Sequence, residues 1–180
     1  MTLPDKNLVL KSMSELCGRT LYSFKTHAKQ ADIYRDRLDT LKVTEVILIA
    51  LSACGILSSL TNLFAGAGYI AIVLNFFSLV ISIHLSSNSY DDLIRQHRAT
   101  AQELWLIKEK VINSINDFKQ DLISVDDLRT NRDISIELLN KVYASEPQTS
   151  SKAYEAARKA LRMSEEHTFS EAELDALLSQ

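Results

Sequence analysis

Apolar and charged positions are sorted along this chain. From Val46 to Tyr90 there is no Lys, Arg, Asp or Glu, whereas the sequence on either side is densely charged. As one straight helix this stretch would be about 65 Å long at 1.5 Å per residue, roughly twice the ~30 Å hydrocarbon core of a bilayer. It divides at the small-residue cluster Ala65-Gly66-Ala67-Gly68, which predicts two transmembrane helices, 46–64 and 69–88, joined by a turn. Val, Ile, Leu and Phe number ten in the first segment (46–64) and eleven in the second (69–85). At about −0.3 to −0.6 kcal/mol each, every segment gains roughly −3 to −6 kcal/mol on insertion, less what Ser, Thr, Asn and His take back. The competing expectation is a hairpin inside a soluble bundle, but a soluble helix normally carries a charged face and neither segment has one.

On both sides of the apolar block the pattern changes to helical stripes. Pro4 suits the first turn of a helix, where its missing N–H does no harm. Met13, Cys17, Thr20, Phe24, His27, Ala31, Tyr34, Leu38 and Leu41 alternate steps of four and three, a heptad-like seam interrupted by Thr20 and His27. After the second span the same rhythm runs through Tyr90, Ile94, His97, Ala101, Leu104, Lys108, Val111, Ile115, Phe118 and Leu122, with Lys108 as its fault. Two stripes that begin beside one hairpin are expected to zip into an antiparallel stalk continuous with it. Ser124-Val-Asp-Asp127 fits a capping box and opens a helix whose candidate buried positions are Leu128, Ile134, Leu138, Leu139 and Val142. The segment from Ser145 to Ser151, which contains Pro147, reads as a linker. Strong helix formers follow from Lys152 to Leu161. Ser170-Glu-Ala-Glu173 reads as a second capping box before Leu174, Leu177 and Leu178. The predicted fold is an all-α membrane protein: a two-helix transmembrane hairpin, a cytoplasmic antiparallel helical stalk and C-terminal helices. Its regions are 1–45, 46–90, 91–144 and 145–180.

Composition adds direction. The net charge of −3 and mean hydropathy of −0.03 average over unlike parts: residues 1–45 carry a net +2 and residues 91–180 a net −5. No basic surface for DNA is present, and direct DNA binding is not expected. Lys25, Lys29, Arg35, Arg37 and Lys42 precede the first span, Arg95, Arg98, Lys108 and Lys110 follow the second, and the turn is uncharged. The positive-inside bias puts both termini in the cytoplasm. The N-terminus shows no apolar signal-peptide region, and Cys17 and Cys54 make no disulfide framework or ligand spacing.

Candidate chemistry is sparse. Phosphate-binding, dinucleotide and nucleophile-elbow motifs are absent. His27, His84, His97 and His167 each lack a His or Cys neighbour at ligand spacing, so neither enzyme activity nor a cofactor or metal is expected. The polarity of interest lies within the spans. Ser52, Gly55, Ser59 and Asn62 share one face of the first, and Asn75, Ser78, Ser82 and Ser86 one face of the second. Small-xxx-small spacing of this kind serves close helix packing with interhelical hydrogen bonds; the alternative is that one stripe lines an oligomeric pore. Asn75 is the sharpest of these residues, because an amide in lipid requires a partner or water.

The layout carries a resemblance. Tyr34-Arg-Asp-Arg-Leu38 leads into the spans, and His97-Arg-Ala-Thr-Ala-Gln-Glu-Leu-Trp-Leu-Ile-Lys-Glu109 follows them. The C-terminal region holds Pro147-x-Thr-Ser-x-x-x-Tyr154 and Thr168-Phe-Ser-x-x-Glu-Leu-Asp175. Together these resemble the SLATT domain family, two-transmembrane effectors of bacterial conflict systems, over nearly the whole chain. The resemblance implies an antiviral effector in the bacterial inner membrane. It further implies pore formation or membrane disruption, and because two spans cannot enclose a channel, a pore requires a homo-oligomer. The implied partners are a nucleotide second messenger, or a partner protein such as a nucleotide synthase or reverse transcriptase. The competing class is a membrane-anchored adaptor that recruits a cytoplasmic partner through its acidic C-terminal helices.

Overall fold

The computed structural model describes residues 3–61, 63–64 and 66–163, and among these five α-helices and no strand are present. The helices are α1 Leu3–Leu60, α2 Ala67–Ser87, α3 Tyr90–Lys119, α4 Val125–Ser145 and α5 Ser151–Met163. The chain divides into two compact units, one formed by residues 1–30 with 97–180 and the other by residues 31–96. The expected capping box at Ser170–Glu173 and the leucines after it lie outside the described residues, as do Asn62 and His167.

In the first unit, the early part of α1 packs antiparallel to α3, as the paired stripes predict. Val9, Met13 and Leu16 of α1 meet Leu104, Ile107, Val111 and Ile115 of α3 in one core, which α4 closes with Val125, Leu128, Leu139 and Val142. The stripe faults have physical answers. Thr20 is fully buried with its Oγ1 donating to Leu16 O at 2.8 Å. Lys108 lays its stem along the core, with Nζ 3.5 Å from the centre of the Trp105 ring and 2.8 Å from Glu109 Oε1. Such desolvated cation–π placement satisfies the charge without a water shell. Two expected core residues are out of place. Leu122 is 68% exposed because α3 ends at Lys119 and Asp121 takes a left-handed turn, so Ile123 packs on the core in its stead. Ile134 is exposed as well, and Ser135, seven residues after Leu128, occupies the core-facing position.

The capping box of α4 is fully formed: Ser124 Oγ accepts from Asp127 N at 3.1 Å, and Ser124 N donates to Asp127 Oδ2 at 2.9 Å. The Ser124 hydroxyl, which donates to Asp127 Oδ2 at 2.6 Å, and then the Ser124 backbone N–H hold the Asp127 carboxyl below its usual range. Ser124→Ala is expected to cost about 1 kcal/mol of stability, read as a lower denaturant midpoint of the full chain in detergent. Helix α5 returns antiparallel along α1. It buries Ala153, Ala157 and Ala160, and its ends are fixed by Ser150–Gln30 and Arg162–Tyr22 hydrogen bonds.

In the second unit, the apolar part of α1 pairs with α2. Gly66, at φ 92°, makes the left-handed turn into α2, a conformation glycine adopts without strain. Helix α2 starts at Ala67, so Ala67 and Gly68 belong to the helix rather than to the expected turn. The most apolar windows of α1 and α2 have only 6% and 11% of their residues buried. Leu51, Ile56, Leu57, Ile70, Ile72, Phe76, Phe77 and Leu79 all point outward. A core helix of a soluble bundle would bury such residues; here they present an apolar surface fitted to lipid.

Candidate functional site: a polar seam between the spans and a buried histidine pair

The seam arises from small residues on facing stripes. On α1, Ser52 is buried, Gly55 half-buried and Ser59 exposed. A Cβ on Gly55 would stand 3.1 Å from Ala71 Cβ and 3.2 Å from Ala67 O, and one on Gly68 would stand 3.0 Å from Ser59 Oγ. The helices therefore approach as closely as glycine permits at both ends of this contact. At the centre, Ser52 Oγ donates to Ala71 O at 3.2 Å, and Asn75 Nδ2 donates to Ser52 Oγ. Ser78 is buried, while Ser82 and Ser86 are exposed. The structure thus brings Ser52, Gly55, Ser59, Asn75 and Ser78 toward the helix pair and leaves Ser82 and Ser86 outside it. His84 hydrogen-bonds through Nε2 to Tyr90 Oη at 2.9 Å, and Asn88 Nδ2 lies 3.3 Å from its Nδ1. Tyr90 is buried beneath Tyr34, with Arg37 at 5.9 Å from its ring centre.

A second polar cluster was not anticipated from the histidine spacing. In the first unit His27 of α1 and His97 of α3 meet Nδ1 to Nδ1 at 3.0 Å, and His27 Nε2 lies 3.1 Å from Glu146 Oε2 just after α4. Both rings are almost wholly buried. With Glu146 ionised, His27 donates from Nε2 and therefore accepts at Nδ1, so His97 carries its proton on Nδ1. Burial lowers His97 to about 4, helped by the adjoining His27, and burial lowers His27 too; burial raises Glu146. Beside this chain a cavity of about 160 Å³ is lined by Tyr22, Ser23, Thr26, Thr149 and Tyr154 along with His27 and Glu146. Ser150, from the Pro-x-Thr-Ser segment, donates to Gln30 Oε1 through both N (2.9 Å) and Oγ (2.7 Å). The signal was present in the sequence: His27 and His97 each occupy a stripe position on two helices expected to be adjacent. No group of three or more His, Cys, Asp or Glu able to hold a metal occurs among the described residues. Glu146 engages the far nitrogen of His27, so the three side chains do not converge on one point.

Fold and seam define a two-span, all-helical membrane protein with a water-facing helical unit. The chain matches the SMODS and SLOG-associating 2TM effector domain, family 4, over residues 9–173, and it belongs to that family. No curated relative and no solved structure matches it. The family is a two-transmembrane membrane effector domain of conflict systems and is not a known catalytic family.

Proposed function

We propose that this protein is a homo-oligomeric effector of a bacterial antiphage, abortive-infection system. It resides in the inner membrane with both termini cytoplasmic, and it forms a pore or disrupts the bilayer when its water-facing helices are triggered. The observation that carries this reading is the division of polar residues on the spans. The seam buries Ser52 and Ser78 and half-buries Gly55, with the partly exposed Asn75 amide bonded to Ser52 and Ser59 facing Gly68, while Ser82 and Ser86 remain on the outward surface. Two helices cannot enclose a lumen, so a pore needs several copies with such a surface shared between them. The trigger is a nucleotide second messenger, or a partner protein such as a nucleotide synthase or reverse transcriptase, acting on the water-facing unit.

Reconstitution in liposomes with ion or dye flux tests this. Ser82→Leu with Ser86→Leu is expected to cut flux at least tenfold while leaving the hairpin intact; unchanged flux would remove these serines from the pore. Absence of flux under every trigger, with oligomers present, would reject pore formation. Asn75→Leu, which deletes the donor to Ser52, is expected to weaken the span pair by about 0.6–1.7 kcal/mol, read by thermal denaturation in detergent. A membrane-anchored adaptor is the second reading, favoured by the net −5 charge of residues 91–180. Exchanging both spans for an unrelated hairpin separates the two: an adaptor keeps its activity and a pore loses it.

A further inference from the structure

We propose that His27, His97 and Glu146 form a proton-operated latch that holds α1 to α3 when the imidazole pair is neutral and releases that contact when the pair takes up protons. The geometry carries this. A hydrogen bond at 3.0 Å between two Nδ1 atoms requires one proton between them. A first added proton places a charge on a ring that has almost no contact with solvent. A second leaves two N–H groups facing each other across the same 3.0 Å, with no acceptor. The hydrogen bond between the two rings is lost at that point, but His27 keeps its contact with Glu146. As an imidazolium it keeps Nε2–H against the Glu146 carboxylate, and that contact becomes an ion pair. Proton uptake therefore exchanges contacts: α1 parts from α3 while remaining tied to the segment that follows α4. His27 and His97 lie at the end of the first unit, three residues before its boundary on α1 and at the boundary itself on α3, so the separation occurs where both chains lead on toward the spans.

Among the described residues, ionisable groups that line or adjoin the cavity include Tyr22 on α1, Tyr143 on α4, which hydrogen-bonds Ser23, and Tyr154 and Arg162 on α5. The two imidazoles and Glu146 are the groups whose mutual hydrogen bonds the latch uses. The histidines, held low in the closed arrangement, disfavour it as pH falls below about 6.5, the ordinary imidazole value. Glu146, held high, acts in the opposite direction and softens the transition. Each proton taken up on opening changes the closed-to-open ratio tenfold per pH unit. The inference concerns the water-facing unit and does not depend on pore formation.

The test uses full-length protein in detergent micelles with ¹⁵N-labelled histidine. At pH 7.5 an N–N coupling across the His27–His97 hydrogen bond is expected, and it should vanish between pH 7 and 5. Over the same range amide protection around residues 97–101, corrected for intrinsic exchange, should fall by at least tenfold. His27→Gln with His97→Gln should abolish the pH dependence. Glu146→Gln should move the transition to lower pH, because the anion that holds the protonated His27 is gone; a purely structural carboxamide-tolerant contact would leave the midpoint where it is. Should the double variant fail to fold, the wild-type coupling decides. Absence of coupling at pH 7.5, protection unchanged down to pH 5, or a double variant with the wild-type pH response would each overturn the latch.

Discussion

Leu104→Ala is expected to lower the stability of the water-facing unit by about 2–5 kcal/mol, the largest effect of any single truncation considered. Leu104 has no exposed surface, and it lies in the core where α1, α3 and α4 meet, among Met13, Leu16, Leu128 and Val111. Truncation removes the transfer energy of its methyl groups and leaves a cavity that three helices must close together. The neighbours are themselves fully buried and have little freedom to move inward. Urea titration of the full chain in detergent, followed by helix signal, reads the change. A loss below about 1 kcal/mol would mean that α1, α3 and α4 do not share one core.

Gly55→Leu is expected to break the pairing of the spans. The first added carbon already stands 3.1 Å from Ala71 Cβ and 3.2 Å from the Ala67 carbonyl. The carbonyl is backbone and cannot swing away, so the helices must separate. Overpacking of this kind costs about 1–3 kcal/mol, and separation also strands the Ser52–Ala71 and Asn75–Ser52 hydrogen bonds in lipid. Cysteine cross-linking between α1 and α2 in membranes measures the outcome: cross-linking should drop several-fold in Gly55→Leu. Gly68→Ala should be far milder, since the atom it meets is a serine hydroxyl that can change rotamer.

How much of this was legible depends on what kind of information each feature needs. The uncharged block Val46–Tyr90 fixes two apolar helices by composition alone, and the structure has them. Heptad-like spacing located the facing stripes of α1 and α3, down to Met13, Leu104 and Val111. Ile134 is apolar but out of phase with the core; counting seven from Leu128 reaches Ser135, whose hydroxyl donates to Asn131 O at 2.7 Å. Leu122 followed the stripe past the point where α3 ends. The seam residues were readable as one face, but that Asn75 would choose Ser52 depends on helix rotation, which spacing does not determine. The histidine cluster lay furthest from view. His27 and His97 are 70 positions apart and Glu146 is 119 from His27, and only the antiparallel fold joins them. Read singly, His27 is an interruption of its stripe and His97 an ordinary stripe position; read together, two histidines at matching heights on adjacent helices mark a buried polar pair.

The alanine face of α5 has a kinetic consequence. Three methyl groups, at Ala153, Ala157 and Ala160, supply its buried apolar contact, on the order of 2 kcal/mol at ~0.8 kcal/mol each. Directed polar contacts at Gln30 and Tyr22 supply much of the rest of its attachment. Such an element detaches and rebinds as a cooperative segment long before the three-helix core opens. In an exchange experiment its amides would form the fast class and those of Leu104 and Val111 the slow one. The first unit is thereby divided into a rigid frame and a peelable sleeve.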